Sequence, residues 1–169
     1  MNSVIDLDWN GPPTQLEIAW VGSQDSSTPV MVFLHEGLGS VSLWRDYPDQ
    51  LCKQLNMRGL LYSRPGYGKS TVRKPHEKWG VDFMHQQALE VLPALLKQLH
   101  IHQPWLFGHS DGGSIALLYA AHFPNQLDNQ SKDKSSCQPI QFDDSGPLDQ
   151  TNIDNPLNFH KFRLAEANP

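Results

Sequence analysis

The chain has 169 residues, 38% of them hydrophobic, which is enough for one domain with a buried core. Its net charge of −5 at pH 7 argues against binding to nucleic acid or to an anionic membrane surface, and we expect neither as a partner. Cys52 and Cys137 match neither a disulfide framework nor a zinc-ligand spacing, and no segment approaches the roughly 18 apolar residues of a membrane span, so we expect a soluble, cytoplasmic protein without a metal site.

The first half of the chain contains three predicted strands. Residues 16–22 alternate apolar and polar side chains, as a half-buried strand does. Residues 30–36 form a continuous apolar run, which predicts a strand buried on both faces. Glycines then lead into a predicted helix over residues 43–55, and residues 58–63 predict the next strand. A long polar loop follows.

The second half continues the alternation. Residues 81–100 carry apolar side chains close to a 3.6-residue period, which predicts the longest helix, bent at Pro93. Residues 104–107 predict a short buried strand, and residues 113–123 predict an apolar helix that ends before Pro124. Strands that alternate with helices predict an α/β fold, with a mostly parallel sheet flanked by helices.

The character of the chain changes after residue 127. Residues 128–169 hold isolated apolar residues among many polar ones, and none of their runs resembles a buried strand. We therefore expect a partial domain over residues 1–127 and a disordered or loosely packed polar tail over residues 128–169. If the tail supplies no strand, the strand at 104–107 becomes an exposed apolar edge, through which we expect self-association and marginal stability.

A short motif suggests nucleophilic chemistry. Residues 108–112 fit the pattern Gly-x-Ser-x-Gly, between an apolar strand and a helix of small residues. A nucleophile at such a sharp turn has a strained backbone, and Gly108 and Gly112 remove the side chains that would collide there. The following helix points its first N–H groups at a developing oxyanion, and the N–H of Asp111 is the expected donor. These features predict Ser110 as a nucleophile.

A second turn, in "FLHEGLGS", complements the first. A strand ends at His35, and the chain turns through Gly37 and Gly39 into a helix. The backbone N–H of Gly37 or Leu38 is positioned to supply the other half of an oxyanion hole. Both turns follow parallel strands at their carboxyl ends, where open α/β sheets place their sites.

These motifs resemble those of the α/β-hydrolases. The His-x-Gly-x-Gly turn, the "SRPGYGKS" loop and the "GHSDGG" elbow are similar to that family's motifs in order and spacing, so residues 16–127 look like its N-terminal half. In that comparison "SRPGYGKS" corresponds to the family's D-x-R-G-x-G-x-S loop. Ser63 stands in place of the usual Asp, and Pro65 in place of the first Gly.

The resemblance implies a truncated α/β-hydrolase fold and roles for individual residues. It implies that Ser110 is the nucleophile and that Asp111 and Gly37 are oxyanion donors. It further implies that His35 orients its turn and that Arg64 is a structural residue of its loop.

A serine nucleophile requires a histidine and a carboxylate. In the α/β-hydrolases both follow the serine along the chain, first the carboxylate and then the histidine. Among the histidines after Ser110, His122 lies at the far end of the next helix, more than about 10 Å away by helical rise. His160 follows no predicted strand, and His109 is interpreted as a packing residue. The acidic residues of the tail lack a strand to orient them: Asp143, Asp144, Asp149 and Asp154.

Three hypotheses follow. The first is a cofactor-independent serine hydrolase that attacks a small-molecule ester, amide or related carbonyl substrate. The second is a truncated, catalytically inactive hydrolase-like protein that lacks the acid and the histidine. The third is a small-molecule binding module that keeps the pocket without turnover. The sequence leaves these alternatives open.

Overall fold

Five strands form the sheet in a computed structural model that describes residues 2–74, 76 and 80–127. The sheet order is β1-β2-β4-β3-β5. β2 pairs antiparallel with both β1 and β4, whereas β3 pairs parallel with β4 and β5. The strands are β1 (Asn2–Asp6), β2 (Gln15–Gly22), β3 (Val30–Leu34), β4 (Arg58–Tyr62) and β5 (Trp105–Gly108).

The predicted α/β class is confirmed, and the strands from residue 30 onward are parallel as expected. The sheet is mixed because its N-terminal part is antiparallel. β1 was absent from the sequence prediction, since its five residues carry little apolar pattern and take their conformation from pairing with β2. The alternation predicted for β2 is wrong: Leu16 to Ala19 are all buried, including the polar Glu17.

Helices cover the sheet. The predicted helix at residues 43–55 is divided into a short 3₁₀ turn and an α-helix, in which Pro48 lies in the first turn, where a missing N–H costs nothing. The helical segments are the 3₁₀ turn Val41–Trp44, α1 (Tyr47–Leu55), α2 (Phe83–Gln86), the π-helical stretch Gln87–Val91, α3 (Leu92–Gln98), α4 (Asp111–His122) and α5 (Pro124–Leu127).

The bend predicted at Pro93 takes the form of a π-helical stretch. Gln87–Val91 lies between α2 and α3, and Pro93 occupies the first turn of α3. Proline lacks an N–H, and its ring collides with the carbonyl four residues earlier in an α-helix. A wider turn immediately before Pro93 relieves both problems without ending the helix.

The core divides over the two faces of the sheet because successive strand residues point to opposite sides. On one face Val32 and Leu60 pack with the buried side of α3 and with Ile115 of α4. On the other face Phe33 and Leu61 pack with other buried side chains, among them Cys52 of α1. β3 and β4 are therefore buried on both faces, as their apolar sequences predict.

β5 forms one edge of the sheet in the described part of the chain. Trp105, its first residue, is 55% exposed and the other three are only partly buried, so the prediction of a buried strand here is wrong: β5 lacks a neighbouring strand on one side within the described residues. Self-association through this edge stays a prediction, and the predicted tail over residues 128–169 lies outside the described residues. No helix within residues 2–74, 76 and 80–127 is long and apolar enough to cross a membrane.

The two-sided burial of β4 predicts a large cost for truncating its core. Leu60→Ala removes a fully buried side chain, and we expect the free energy of unfolding to fall by about 2–5 kcal/mol in chemical denaturation. The matched control is Leu55→Ala, at the end of α1, where the side chain is 52% exposed and the expected loss is under about 1 kcal/mol. Equal losses in the two variants would contradict this assignment of the core.

Candidate active site

Three loops meet at one edge of the sheet. β3 lies between β4 and β5, all three are parallel, and each is followed by a loop at its carboxyl end. These loops are the His35–Val41 turn, the Ser63–Ser70 loop and the elbow around Ser110. The topology therefore brings together the three motifs that the sequence analysis singled out.

Ser110 occupies the elbow in a strained conformation. Its backbone angles are φ 52° and ψ −117°, between the end of β5 and the first residue of α4. A serine with positive φ costs free energy that the surrounding structure must offset. Two backbone bonds hold the turn: Gly112 N–H donates to His109 O at 2.9 Å, and Gly113 N–H donates to Ser110 O at 2.8 Å. The Ser110 side chain is exposed.

The two flanking glycines are required by close approach. A Cβ on Gly108 would overlap the backbone of Gly112 and Gly113. A Cβ on Gly112 would overlap the carbonyl oxygen of Leu34, at the end of β3. The elbow is therefore packed directly against the strand that leads into the His35–Val41 turn, as the hydrogen bond from His109 N–H to Leu34 O at 3.0 Å also shows.

The His35–Val41 turn lies against the start of α4. A Cβ on Gly37 would lie 2.8 Å from Asp111 Oδ2, so this part of the turn contacts the residue after Ser110. Gly39 is equally constrained, because a Cβ there would lie 2.8 Å from the Cβ of His35. Leu38 is 84% exposed at the tip. Among the described residues, the backbone N–H groups of Gly37, Leu38 and Asp111 donate to no protein acceptor.

His35 is buried and serves as a fixed, neutral linker. Its Nε2 accepts the backbone N–H of Arg64 at 3.0 Å, so the proton lies on Nδ1, which donates to Glu36 O at 2.7 Å. Burial, followed by the nearby Arg64 cation, lowers the pKa of His35 to about 4. With both nitrogens engaged, His35 is unsuited to act as a general base.

Arg64 clamps the start of the same turn. Its side chain is 98% buried, and the guanidinium donates from Nη1 to His35 O and from Nη2 to Glu36 O, both at 2.9 Å. Nη2 also lies 3.9 Å from Asp111 Oδ2, at the limit of an ion pair, and the guanidinium lies 5.2 Å from the ring centre of Tyr67. The cation therefore touches both the turn and the helix that carries the elbow.

A buried carboxylate that was not predicted from the sequence, that of Glu17, lies next to the Ser63–Ser70 loop. Glu17 Oε2 accepts the hydroxyl proton of Ser63 at 2.8 Å and the backbone N–H of Lys69 at 3.0 Å. In the sequence Glu17 occupies the polar position of an alternating strand, which predicts a solvent-facing side chain. The unusual Ser63 in "SRPGYGKS" was the one available signal that an acid had to come from elsewhere.

The described residues do not complete a catalytic triad. No side chain in residues 2–74, 76 and 80–127 hydrogen-bonds to Ser110 Oγ. His122 lies in the last turn of α4, with its Nδ1 3.2 Å from Leu118 O, while His109 is exposed beside the serine. His160 and the tail aspartates lie outside the described residues. No group of three potential metal ligands occurs in the described part of the chain.

The chain is similar to known proteins in both sequence and structure. The model of a family described as "alpha/beta hydrolase fold" matches residues 29–130, more than half of the chain. A proline iminopeptidase of Lactobacillus crispatus is 31% identical over 103 residues, which cover 61% of this chain and 34% of that protein. A proline iminopeptidase of Lactiplantibacillus plantarum is 30% identical over 122 residues, covering 71% and 40%. The chain thus spans between a third and two fifths of these relatives.

Solved structures show the same fold at lower identity. A probable hydrolytic enzyme from Pseudomonas aeruginosa PAO1 is 24% identical with a TM-score of 0.62, covering 75% of this chain and 39% of that one. An enol-lactonase from Burkholderia xenovorans LB400 is 22% identical with a TM-score of 0.58, covering 70% and 42%. The likeness concerns the fold of the described region.

The close packing of the elbow predicts that Gly112 tolerates no side chain. In Gly112→Ala the new methyl group meets the Leu34 carbonyl, and we expect the free energy of unfolding to fall by about 1–3 kcal/mol in urea denaturation. Ser114→Ala, at an exposed position two residues later in α4, is the control and should change stability by less than about 0.5 kcal/mol. An alanine at 112 that is as stable as the control would refute the packing argument.

The low pKa of His35 predicts acid sensitivity. Between its unfolded pKa near 6.5 and its folded pKa of about 4, the unfolded chain binds the proton and the folded chain does not. The free energy of unfolding therefore decreases as the pH is lowered through that window. We expect this residue to account for a loss of roughly 3 kcal/mol between pH 7 and pH 4. The measurement is the stability difference between wild type and His35→Gln, which should shrink by that amount on acidification. A difference independent of pH would contradict the assignment.

Proposed function

We propose, from the premise that this chain belongs to the alpha/beta hydrolase family, that Ser110 is the nucleophile of a serine hydrolase acting on ester, amide or related carbonyl bonds. The observation that carries the proposal is the strained backbone of Ser110, at φ 52° and ψ −117°. Such strain persists where function requires it, since glycine would adopt the same conformation at lower cost. The elbow exposes the hydroxyl above the carboxyl end of β5.

The backbone supports stabilisation of an oxyanion. The N–H of Asp111 stands at the start of α4, where the helix dipole favours negative charge. The turn of Gly37 and Leu38 lies against the same residue, and among the described residues these three N–H groups have no protein acceptor. Two donors aimed at a developing oxyanion in a preorganised site contribute several kcal/mol to catalysis.

The reaction proceeds by addition and elimination. The Ser110 oxygen forms a bond to the substrate carbonyl carbon while the carbonyl electron pair moves onto oxygen, where the backbone N–H groups receive it. A general base takes the hydroxyl proton and returns it to the leaving group, and water then releases the acyl group by the reverse steps. The base and its acidic partner are not among the contacts of Ser110 within the described residues.

That observation favours a second candidate, a hydrolase-like chain that binds without turnover. The two candidates share the elbow and the turn, but they differ in whether Ser110 is activated. The Lactobacillus crispatus and Lactiplantibacillus plantarum relatives are proline iminopeptidases, which makes amides of an N-terminal proline the first substrates to test beside simple aryl esters. We expect a single small-molecule substrate site without a cofactor.

A fluorophosphonate probe separates these candidates. For an activated Ser110 we expect stoichiometric covalent labelling of the folded chain, located at residue 110 by mass spectrometry and lost in Ser110→Ala. Ser114→Ala, on the exposed side of α4, controls for labelling elsewhere and should react like the wild type. A folded chain that stays unlabelled would exclude the hydrolase and leave the non-catalytic candidate.

A further inference from the structure

Glu17 is hydrogen-bonded to both ends of the Ser63–Ser70 loop through its backbone and its buried carboxylate. Glu17 lies on β2 and is 98% buried. Its backbone carbonyl accepts the N–H of Ser63 at 2.9 Å, and its own N–H donates to Ser70 Oγ at 2.8 Å. The carboxylate oxygen Oε2 accepts both Ser63 Oγ–H and Lys69 N–H. The loop is therefore fixed from β2.

The Ser63 hydroxyl transmits this constraint to the His35–Val41 turn. A serine hydroxyl has one proton, and here that proton is donated to Glu17. The oxygen is left to accept, and it accepts the backbone N–H of Val41 at 2.9 Å. The orientation of the hydroxyl, and with it the anchor at the end of the turn, therefore depends on the carboxylate.

The next residue anchors the other end of the turn. Arg64 binds His35 through the imidazole and the carbonyl oxygen, and it binds the carbonyl oxygen of Glu36. Two consecutive residues, Ser63 and Arg64, therefore hold both ends of the His35–Val41 turn. Gly37 and Leu38, whose N–H groups we assign to the oxyanion, lie between the two anchors.

We propose that Glu17 is a positioning residue whose buried carboxylate fixes the Val41 end of the His35–Val41 turn through the Ser63 hydroxyl, while Arg64 anchors the other end. Ser63 stands where the resemblance predicts Asp, and the carboxylate comes instead from the neighbouring strand. The placement of the turn follows from the hydrogen bonds alone. Only the consequence for reactivity rests on the proposed function.

The surroundings of the Glu17 carboxylate are closely packed. Gly68 has a φ of +54°, and a Cβ on it would overlap both Glu17 Oε2 and Ser63 Oγ. A Ser63→Asp substitution in the presence of Glu17 would bring two carboxylates side by side in a buried site, where like charges disfavour each other. A carboxylate at 63 is therefore expected to be tolerated only when the one at 17 is removed.

Hydrogen exchange of the 169-residue chain tests the positioning directly. In Glu17→Gln, we expect the Val41 amide to exchange at least about tenfold faster than in wild type, with amides of α4 and β3 unchanged. Glu90→Gln is the matched control, because it makes the same replacement of a carboxylate by a carboxamide at an exposed position. It should leave the exchange rate of the Val41 amide unchanged. Unchanged exchange at Val41 in Glu17→Gln would overturn the proposal.

Relocating the charge keeps the test decisive if Glu17→Gln does not fold. We expect Ser63→Asp alone to be less stable than the double variant Glu17→Gln/Ser63→Asp, in which one carboxylate remains and protection of Val41 is restored. A double variant no more stable than Ser63→Asp would overturn the proposal, because the carboxylate would then have no transferable role.

Reactivity gives a separate readout. In a wild type that the fluorophosphonate labels, Glu17→Gln should slow the maximal labelling rate about 10- to 100-fold with little change in probe affinity, as expected when oxyanion donors shift. A labelling rate equal to that of wild type, with Val41 deprotected, would overturn the link to reactivity. A wild type that is not labelled speaks against the proposed function, while the exchange measurements still decide the role of Glu17.

Discussion

The buried guanidinium of Arg64 is the contact on which the site depends. Removing a cation from water costs several kcal/mol unless its protons are received by well-placed acceptors. Here two carbonyl oxygens of the turn after β3 accept hydrogen bonds from Nη1 and Nη2, with the carboxylate of Asp111 nearby and Tyr67 against the guanidinium, while Nε–H has no partner among the described residues. Because the acceptors belong to the turn, the turn cannot move without leaving a buried charge poorly solvated. The cost of leaving the Arg64 cation without acceptors therefore restrains the position of the turn.

The same restraint explains why His35 stays neutral. A protonated imidazole beside Arg64 would add a second cation to a buried site, and its Nε2 could no longer accept the Arg64 N–H. The neutral ring and the charged guanidinium therefore form one unit, with each nitrogen assigned a role by its partner. Glycines at 37, 39, 108 and 112 let the surrounding backbone approach this unit and the elbow closely.

Much of the fold and of the candidate site can be predicted from the sequence, and the rest depends on long-range contacts. The apolar runs predict β3, β4 and β5, and the spacing of glycines around Ser110 predicts the elbow, because both signals are local. β1 and the burial of Glu17 were missed, since both depend on contacts that are distant along the chain. β1 pairs with residues 9 to 17 positions away, and the partners of the Glu17 carboxylate lie 46 and 52 positions away. Pro93 predicts a bend, but only the packed helix shows that a π-helical stretch absorbs it. The triad partners were not found in sequence, and the described residues add none.

The conformation of Ser110 has an evolutionary consequence. Its positive φ is one that glycine adopts without strain, so replacing the serine by glycine would relax the elbow and stabilise the fold. Under the function that we propose, stability and chemistry therefore favour different residues at this position. A lineage released from selection for hydrolysis would be free to drift toward glycine or asparagine at this site, while the packed glycines beside it would stay. The identity of this one residue among close relatives would then distinguish lineages under selection for the reaction from those that merely retain the fold.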